Sequence, residues 1–553
     1  MNQMKKYKEE IRTFLNDKKY MVCLIVITMI CYTYAAVQTT LSIDDLAGEQ
    51  HIGSGYGMIA SGRMGMTILL NIFGTKNCLP QYSTAIEILC AVFFAWAAIN
   101  YCIFFKRVAG SKLKSNHFIL FSCMLVSYPL INEIWEFTGA NLCVAEGYLF
   151  ISFTMLLLQE YFSTRKEERN LWCIILSVLM LMLVASAYES LICVYVFMVF
   201  VLILFKTLDD REKKYRIRDM IGDGIPYAII VAVSIILELI VYKVSLVILR
   251  IPPQGFGDKG IYWGTESIGW IIKSIVGNCI NEYLIKGFIY FPIAELDIAI
   301  LLFIILGIIA CILYKNVRIL FPGMGIFLAV FSLSIIQGKA SLYRTCEVFG
   351  VFVAFVGMLA LCMAEERIKK VWIANIVYAA GILLCVNQAV YLSGILNVNH
   401  LRSEEEADVI KSIAYDLGYD HDMEKPVIFV GEYTLSEYIT EAVSIPEESK
   451  RWKWFCYWTA KVNGIDEQEV MENYPRKYVV SNVNSLISTS AVQTGIQTDM
   501  QDLFAYYGFE YKTGTDTEMY KEASDYAEQH DMKGWPVEGY IAELDDMIIV
   551  NLK

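Results

Sequence analysis

Apolar residues fill the first 394 positions in long runs, with little alternation between apolar and polar. Runs of about 18 residues or more with few charges have the length needed to cross a bilayer core. They fall at about 20–38, 84–105, 116–131, 140–160, 171–187, 190–205, 224–249, 296–314, 319–337, 345–364 and 371–394. The pattern predicts a polytopic α-helical membrane protein with about eleven transmembrane helices. The 116–131 run is short, and the two runs around Tyr188 are tightly joined. No small-residue cleavage site follows the first run. It reads as a retained signal anchor behind a basic N-terminus, residues 1–19.

Polar residues between the runs alternate in charge. The N-terminal KKYK and DKK are basic, and so are KRVAGSKLK (106–114), TRKEER (164–169), KTLDDREKKYRIR (206–218), YKNVR (314–318) and EERIKK (365–370). Short Lys/Arg-rich connections stay in the cytoplasm, so every second connection is assigned there. Segments 39–83, 132–139, the Tyr188 turn, 250–295 and 338–344 then lie outside. An odd number of spans puts residues 395–553 outside as well. Two of the outer loops carry apolar residues at a helical period, RMGMTILLNIFG (63–74) and SIGWIIKSIVGNCINEYLIKGF (267–288). Both read as interfacial helices in the headgroup plane, packing against the bundle being the ordinary alternative.

Beyond residue 394 the pattern changes. EEEADVIKSIAYDLG (404–418) reads as an amphipathic helix and KPVIFVGEY (425–433) as a buried strand. GYIAELDDMIIVNLK reads as a hairpin turning near Asp545 and Asp546. The tail is thus a small α/β module of a size that can bury its own core. Glu543, Asp545 and Asp546 suit turn chemistry better than a metal site.

Composition sharpens this picture. With 56% hydrophobic and 19% charged residues, the 553-residue chain is too apolar for a soluble globule. Its net charge of −12 is uneven: residues 395–553 hold 13 Lys+Arg against 30 Asp+Glu, a net −17, leaving +5 for the rest. An acidic tail argues against nucleic acid as a partner. The 15 cysteines lie mostly inside apolar runs and form no CxxC pair, as expected of small buried hydrophobes.

Candidate chemistry collects in the outer connections. TTLSIDDLAGEQ (39–50) sets Asp44 and Asp45 where the first span ends. Adjacent residues do not share a helix face, so the pair is not a dyad by spacing alone. A helix cap or a solvated loop is the ordinary reading. The functional one is a carboxylate facing a cavity at the membrane surface and acting as general base. Arg63 lies between glycines in SGRMG; Glu133, Trp135 and Glu136 occupy NEIWEFTGAN; Glu146 lies a turn or two into the next span. Tyr188 and Glu189 form a polar turn, and GKASLYRT supplies Lys339, Tyr343 and Arg344. Each alone suits a loop. Together they set acids, cations and aromatics at one membrane face, where charged groups tend to line cavities. Carboxylates accept sugar hydroxyls, aromatic rings stack on sugar faces, and arginine grips phosphate with two parallel bonds. No phosphate-binding P-loop or dinucleotide glycine run is present.

SIDDL after a first span, then SGRMG, then SYPLINEIWEFTGAN, resembles the bacterial serotype-converting glucosyltransferases of the type II Gtr family. EEEADVIKSIAYDLG before KPVIFVG, and the final WPVEGYIAELDDMIIVNL, add to the likeness. The resemblance implies a GT-C-like bundle (20–394) followed by an extracytoplasmic α/β domain (395–553). It further implies a sugar, typically glucose, carried on polyprenyl phosphate and moved on the outer face to a cell-envelope glycan such as O-antigen. An acidic residue in the first outer loop is essential in such enzymes, which carries onto Asp44 and Asp45. Arg63, Arg344 and Lys339 are then candidates for the donor phosphate. Glu133, Trp135, Glu136, Tyr188, Glu189 and Tyr343 are candidates for sugar or acceptor contacts. No His cluster calls for a divalent metal, and none is expected. A lipid-linked-sugar flippase or transporter is the alternative; the lack of an internal repeat and the charges at span edges favour the enzyme.

Overall fold

The computed structural model describes residues 2–38, 40–42, 56–73, 83–135, 137–210, 214–252, 261–280, 283, 295–368, 371–421, 424–442, 444–473, 476, 485–492, 498–514 and 517–552. Asp44, Asp45 and Glu136 lie outside these residues, as does the side chain of Glu133.

Eight described helices are long and apolar enough to cross a membrane: Lys18–Val37, Thr84–Lys112, Gly139–Ser163, Glu189–Asp209, Ile217–Leu249, Leu296–Tyr314, Val348–Glu366 and Val371–Gly418. The chain is a polytopic membrane protein. The other three expected spans form the shorter helices Ser115–Val126, Trp172–Ala187 and Leu320–Val330. At 1.5 Å rise, 12 residues reach only about 18 Å, well short of the roughly 30 Å hydrocarbon core. Large apolar side chains on the span surfaces are exposed, among them Val22, Met29, Ile236, Leu301 and Leu383, as a lipid-facing surface requires.

The Ser83–Ala109 and Thr138–Ser163 helices run side by side. Asn141 bonds Glu87, the Phe94 ring packs on Tyr148, and Asn100 bonds Ser152. The contacts advance in the same direction on both, so the two helices are parallel. The intervening Ser115–Val126 helix makes the return. Where the bundle is densest, Phe105, Phe121, Phe197, Phe205 and Phe355 pack edge to face.

The basic connections meet at one end of this bundle. Lys6 pairs with Glu160 at 2.6 Å, and Arg107 bonds Glu10 through Nε at 3.0 Å and reaches Glu160 at 3.4 Å. Lys112 reaches Asp209, Lys114 reaches Glu365, and Lys206 reaches Asp223. Arg318 donates to the Tyr215 carbonyl, and the Tyr215 hydroxyl donates to Asp223. Of the two loop helices, Met64–Ile72 buries Met66, Leu69 and Leu70 against the bundle while Ile72 stays exposed. Ile268–Cys279 buries Ile271 and exposes Ile268, Trp270, Ile272 and Val276.

The last span does not stop at residue 394. Val371–Asp420 is one 50-residue helix, about 75 Å long, that joins the expected span to the expected amphipathic helix. Beyond it lies a three-stranded sheet. β1 (Val427–Val430) pairs parallel with β3 (Ile548–Asn551), and β2 (Ile541–Glu543) pairs antiparallel on the other side of β3. The β2–β3 connection turns through Asp545 and Asp546, closed by the Leu544 amide on the Met547 carbonyl. Ile410, Ile413 and Leu417 from the long helix pack under the sheet with Phe429 and Phe504.

Candidate active site

At the end opposite the ion pairs, the SGRMG stretch positions Arg63 through both of its glycines. Gly62 has φ of +85°, a backbone conformation costly for residues with a Cβ. Gly65 sits against the end of the Trp172–Ala187 helix, where a Cβ would come within 2.7 Å of the Leu183 carbonyl and 2.8 Å of the Ala187 nitrogen. With the Met64–Ile72 helix seated so closely, exposed Arg63 sits over the ring of Tyr188 at 6.0 Å. Tyr242 closes the other side by donating to the Ala60 carbonyl.

Tyr188 is buried and links two elements. Its hydroxyl donates to the Arg344 carbonyl at 3.3 Å, and the Arg344 guanidinium lies 5.4 Å from the Phe137 ring centre. The fold therefore brings Arg63, Tyr188 and Arg344 into one chain of contacts, although 281 positions separate the two arginines in sequence. Lys339 sits apart from this line: its ammonium lies over Tyr262 at 4.7 Å and bonds the phenol oxygen at 3.2 Å. Tyr343 is buried edge-on to Tyr283. Glu189 is exposed on the short turn after Tyr188. Trp135 is buried, stacked on Tyr32 with ring centres 4.1 Å apart. Among the described residues, no carboxylate forms an ion pair with Arg63, Arg344 or Lys339.

The structure also gathers buried polar groups that the sequence reading passed over. Glu87 accepts from Asn141 at 2.7 Å beside Cys90. It lines a groove of about 620 Å³ between the first span and the Ser83–Ala109 helix, with Tyr32 and Thr84 at the same end. Glu347 is buried, and its carbonyl accepts from Tyr148 at 2.6 Å. A single charge inside an apolar run is the signal that marks such residues. Glu87 is the one charged residue between Lys76 and Lys106.

The segment that leads to Asp44 is held by the tail. Leu41 is buried in the core under the sheet, and its carbonyl accepts from Arg402 at 2.7 Å. Arg402 pairs with Glu406 at 2.9 Å, both almost fully buried. Glu406 in turn accepts from the Ser485 hydroxyl and from the Leu486 amide at the start of a helix. Next to it, Glu405 accepts from Tyr433 at 2.6 Å; burial first, and this bond second, hold the Tyr433 phenol above its usual pKa. Among the described residues, no three His, Cys, Asp or Glu side chains gather as a metal site requires.

The class is therefore a multi-span membrane protein whose cations at one bundle end rest on aromatic rings. Residues 6–361 match the family model described as Glucosyl transferase GtrII, so the chain belongs to that family and is a membrane glycosyltransferase. Residues 395–553 lie outside the matched range. No curated protein and no solved structure matches the chain.

Proposed function

We propose that the enzyme moves a hexose, glucose by its family, from a polyprenyl-phosphate donor to a cell-envelope glycan such as O-antigen. The reaction takes place on the outer face of the bacterial cytoplasmic membrane. In this reading the protein is a GT-C-type bundle of eleven crossings. Its ion-paired end faces the cytoplasm, and residues 395–553 form an extracytoplasmic α/β domain.

Asp44 takes the proton from the acceptor hydroxyl, whose oxygen attacks the anomeric carbon. The bond to phosphate breaks, polyprenyl phosphate leaves, and the anomeric configuration inverts. Asp45 orients the acceptor or the sugar. Arg63 and Arg344 neutralise the phosphate, with no divalent metal, and Lys339, seated apart on Tyr262, adds positive charge to the same face. Glu133, Glu136 and Glu189 accept sugar or acceptor hydroxyls, while the buried rings of Trp135, Tyr188 and Tyr343 back the site from behind. Arg402 steadies the Leu41 backbone and so the approach to Asp44.

The observation that carries the reading is the set of cations at the outer end, Arg63, Arg344 and Lys339, that rest on rings and form no ion pair among the described residues. A cation over an aromatic face keeps its charge available to an incoming anion, whereas an ion pair does not. The test is transfer in membranes from cells that lack the protein, with wild type or the Asp44→Asn/Asp45→Asn double variant restored at equal level. Polyprenyl-phosphoglucose is supplied and the surface glycan is weighed by mass spectrometry. Wild type adds a hexose, and the double variant falls by about 100-fold or more. Transfer by the variant at the wild-type rate reduces the two carboxylates to loop charges. Sugar that changes sides of the membrane without joining a glycan replaces the transferase with a flippase.

A further inference from the structure

The helix Lys450–Asn463, KRWKWFCYWTAKVN, is unlike the rest of the tail. It carries Lys450, Arg451, Lys453 and Lys461 and no acidic residue, in a region whose net charge is −17. One face is buried: Trp452, Phe455, Cys456 and Ala460 pack with Ile445 and Val470 in a cluster of their own. On the opposite face Trp454, Tyr457 and Trp458 are 49%, 47% and 43% exposed. At about 100° per residue, Lys450, Trp454, Tyr457, Trp458 and Lys461 fall in one stripe.

The long Val371–Asp420 helix serves as a ruler for where this face lies. The segment before the aromatic helix is fastened low on it, with Tyr433 and Ser436 both bonded to Glu405. The segment after it is fastened at the same level, with Leu486 bonded to Glu406. The aromatic helix packs with the short helix Glu467–Asn473, and both feet of this helical pair are tied together, by Arg476 to Glu441 and by the Ile445 amide to the Arg476 carbonyl. The far part of the sheet is tied higher, with Tyr540 on Asp416 and Glu543 on His421. Measured from residue 394, residues 405 and 406 stand about 17 Å along the helix and residues 416–421 about 33–40 Å. The segments that flank the aromatic helix are therefore fastened to the part of the long helix nearer the span.

We infer that the Trp454–Tyr457–Trp458 face, with Lys450 and Lys461, docks on the headgroups of an anionic lipid surface and holds the tail down on the membrane. Trp and Tyr settle at the headgroup level, and each nearby Lys or Arg adds attraction to anionic lipid. The ring geometry favours lipid over glycan. Trp454 and Trp458 are inclined at 62°, Tyr457 and Trp458 at 83°, so these rings do not line up as a flat platform for successive sugars. The Lys461 ammonium already lies over Tyr457 and Trp458, at 5.6 and 5.0 Å. Lys453 is engaged by Glu448 at 2.6 Å and is left out of the stripe. The inference needs the membrane placement of the last span and not the transfer chemistry.

The test uses the full-length protein in lipid nanodiscs with p-benzoylphenylalanine replacing Tyr457. Leu383 on the span surface and Lys512 beside Glu424 serve as comparison positions. Irradiation in phosphatidylglycerol-rich discs yields phospholipid adducts at 457 and 383 and none at 512. Adducts at 457 alone fall in pure phosphatidylcholine and in the Lys450→Glu/Lys461→Glu variant, by roughly fivefold per lost attraction. Labelling at 383 with none at 457 overturns the inference. So does an adduct at 457 with added surface glycan in place of lipid. Loss of sugar transfer with lipid adducts intact would bear on the proposed function instead.

Discussion

The two ends of the helical bundle share cations that rest on aromatic rings but differ in their ion pairs. At one end, five cations meet carboxylates, Lys6 with Glu160, Arg107 with Glu10, Lys112 with Asp209, Lys114 with Glu365 and Lys206 with Asp223, while Lys19, Lys106 and Arg169 lie over the rings of Tyr378, Phe14 and Tyr161. At the other end Arg63, Arg344 and Lys339 meet Tyr188, Phe137 and Tyr262. Paired charges cancel and, where exposed, add little to stability. Ring-seated cations are positioned yet remain available to an anion. The difference lies in the ion pairs of the first end, and the proposed function uses the second.

The comparison can be broken by substitution. The largest effect is expected at Arg402, a buried cation of the tail that pairs with Glu406. Arg402→Leu strands Glu406 and releases the Leu41 carbonyl, for a loss of about 3–5 kcal/mol. Thermal unfolding in detergent, with proteolysis of the segment after the first span, reads it; an unchanged midpoint would remove the clamp from the account.

Next come the ring-seated arginines. Arg63→Gln or Arg344→Gln is expected to weaken donor use by about 10- to 100-fold, mainly in the KM for lipid-linked sugar. An unchanged KM in either variant would take that cation out of the phosphate site. Gly65→Val should unseat the Met64–Ile72 helix at about 1–3 kcal/mol and carry Arg63 off Tyr188. Its donor KM is expected to rise although no charge is lost, and a normal KM would uncouple that packing from the site. The smallest effects belong to the paired end. Lys112→Gln and Lys206→Gln sit in exposed pairs worth about 0–1 kcal/mol each, so transfer and unfolding temperature should barely move. A large loss of transfer in either would erase the contrast between the ends.

Chain segments differ in how readily they can be read from sequence. The runs of the eight long helices follow from local apolarity, and the β2–β3 turn follows from Asp545 and Asp546 between apolar pairs. The 50-residue helix was read as two, because VNHLRSEEE interrupts the apolar pattern near residue 400 without carrying a helix breaker. Polarity changes there; backbone conformation does not. Glu87 escaped the reading because its partner Asn141 lies 54 positions away. The aromatic face of Lys450–Asn463 was missed although its period is plain, since exposure on one side and burial on the other emerge only once the helical pair has packed.

The sequence alone determined that this chain enters the membrane many times, that its basic connections alternate, and that its tail is acidic. Those properties are sums over neighbouring residues, and transfer free energy acts on them locally. Tertiary structure alone decided that Arg63 and Arg344 share Tyr188, that Arg402 holds Leu41, and that the ion pairs of the bundle gather at one end. Such contacts join residues up to 361 positions apart. No local pattern encodes them, because they depend on which helix surfaces pack together and on the few places where a glycine lets two backbones approach.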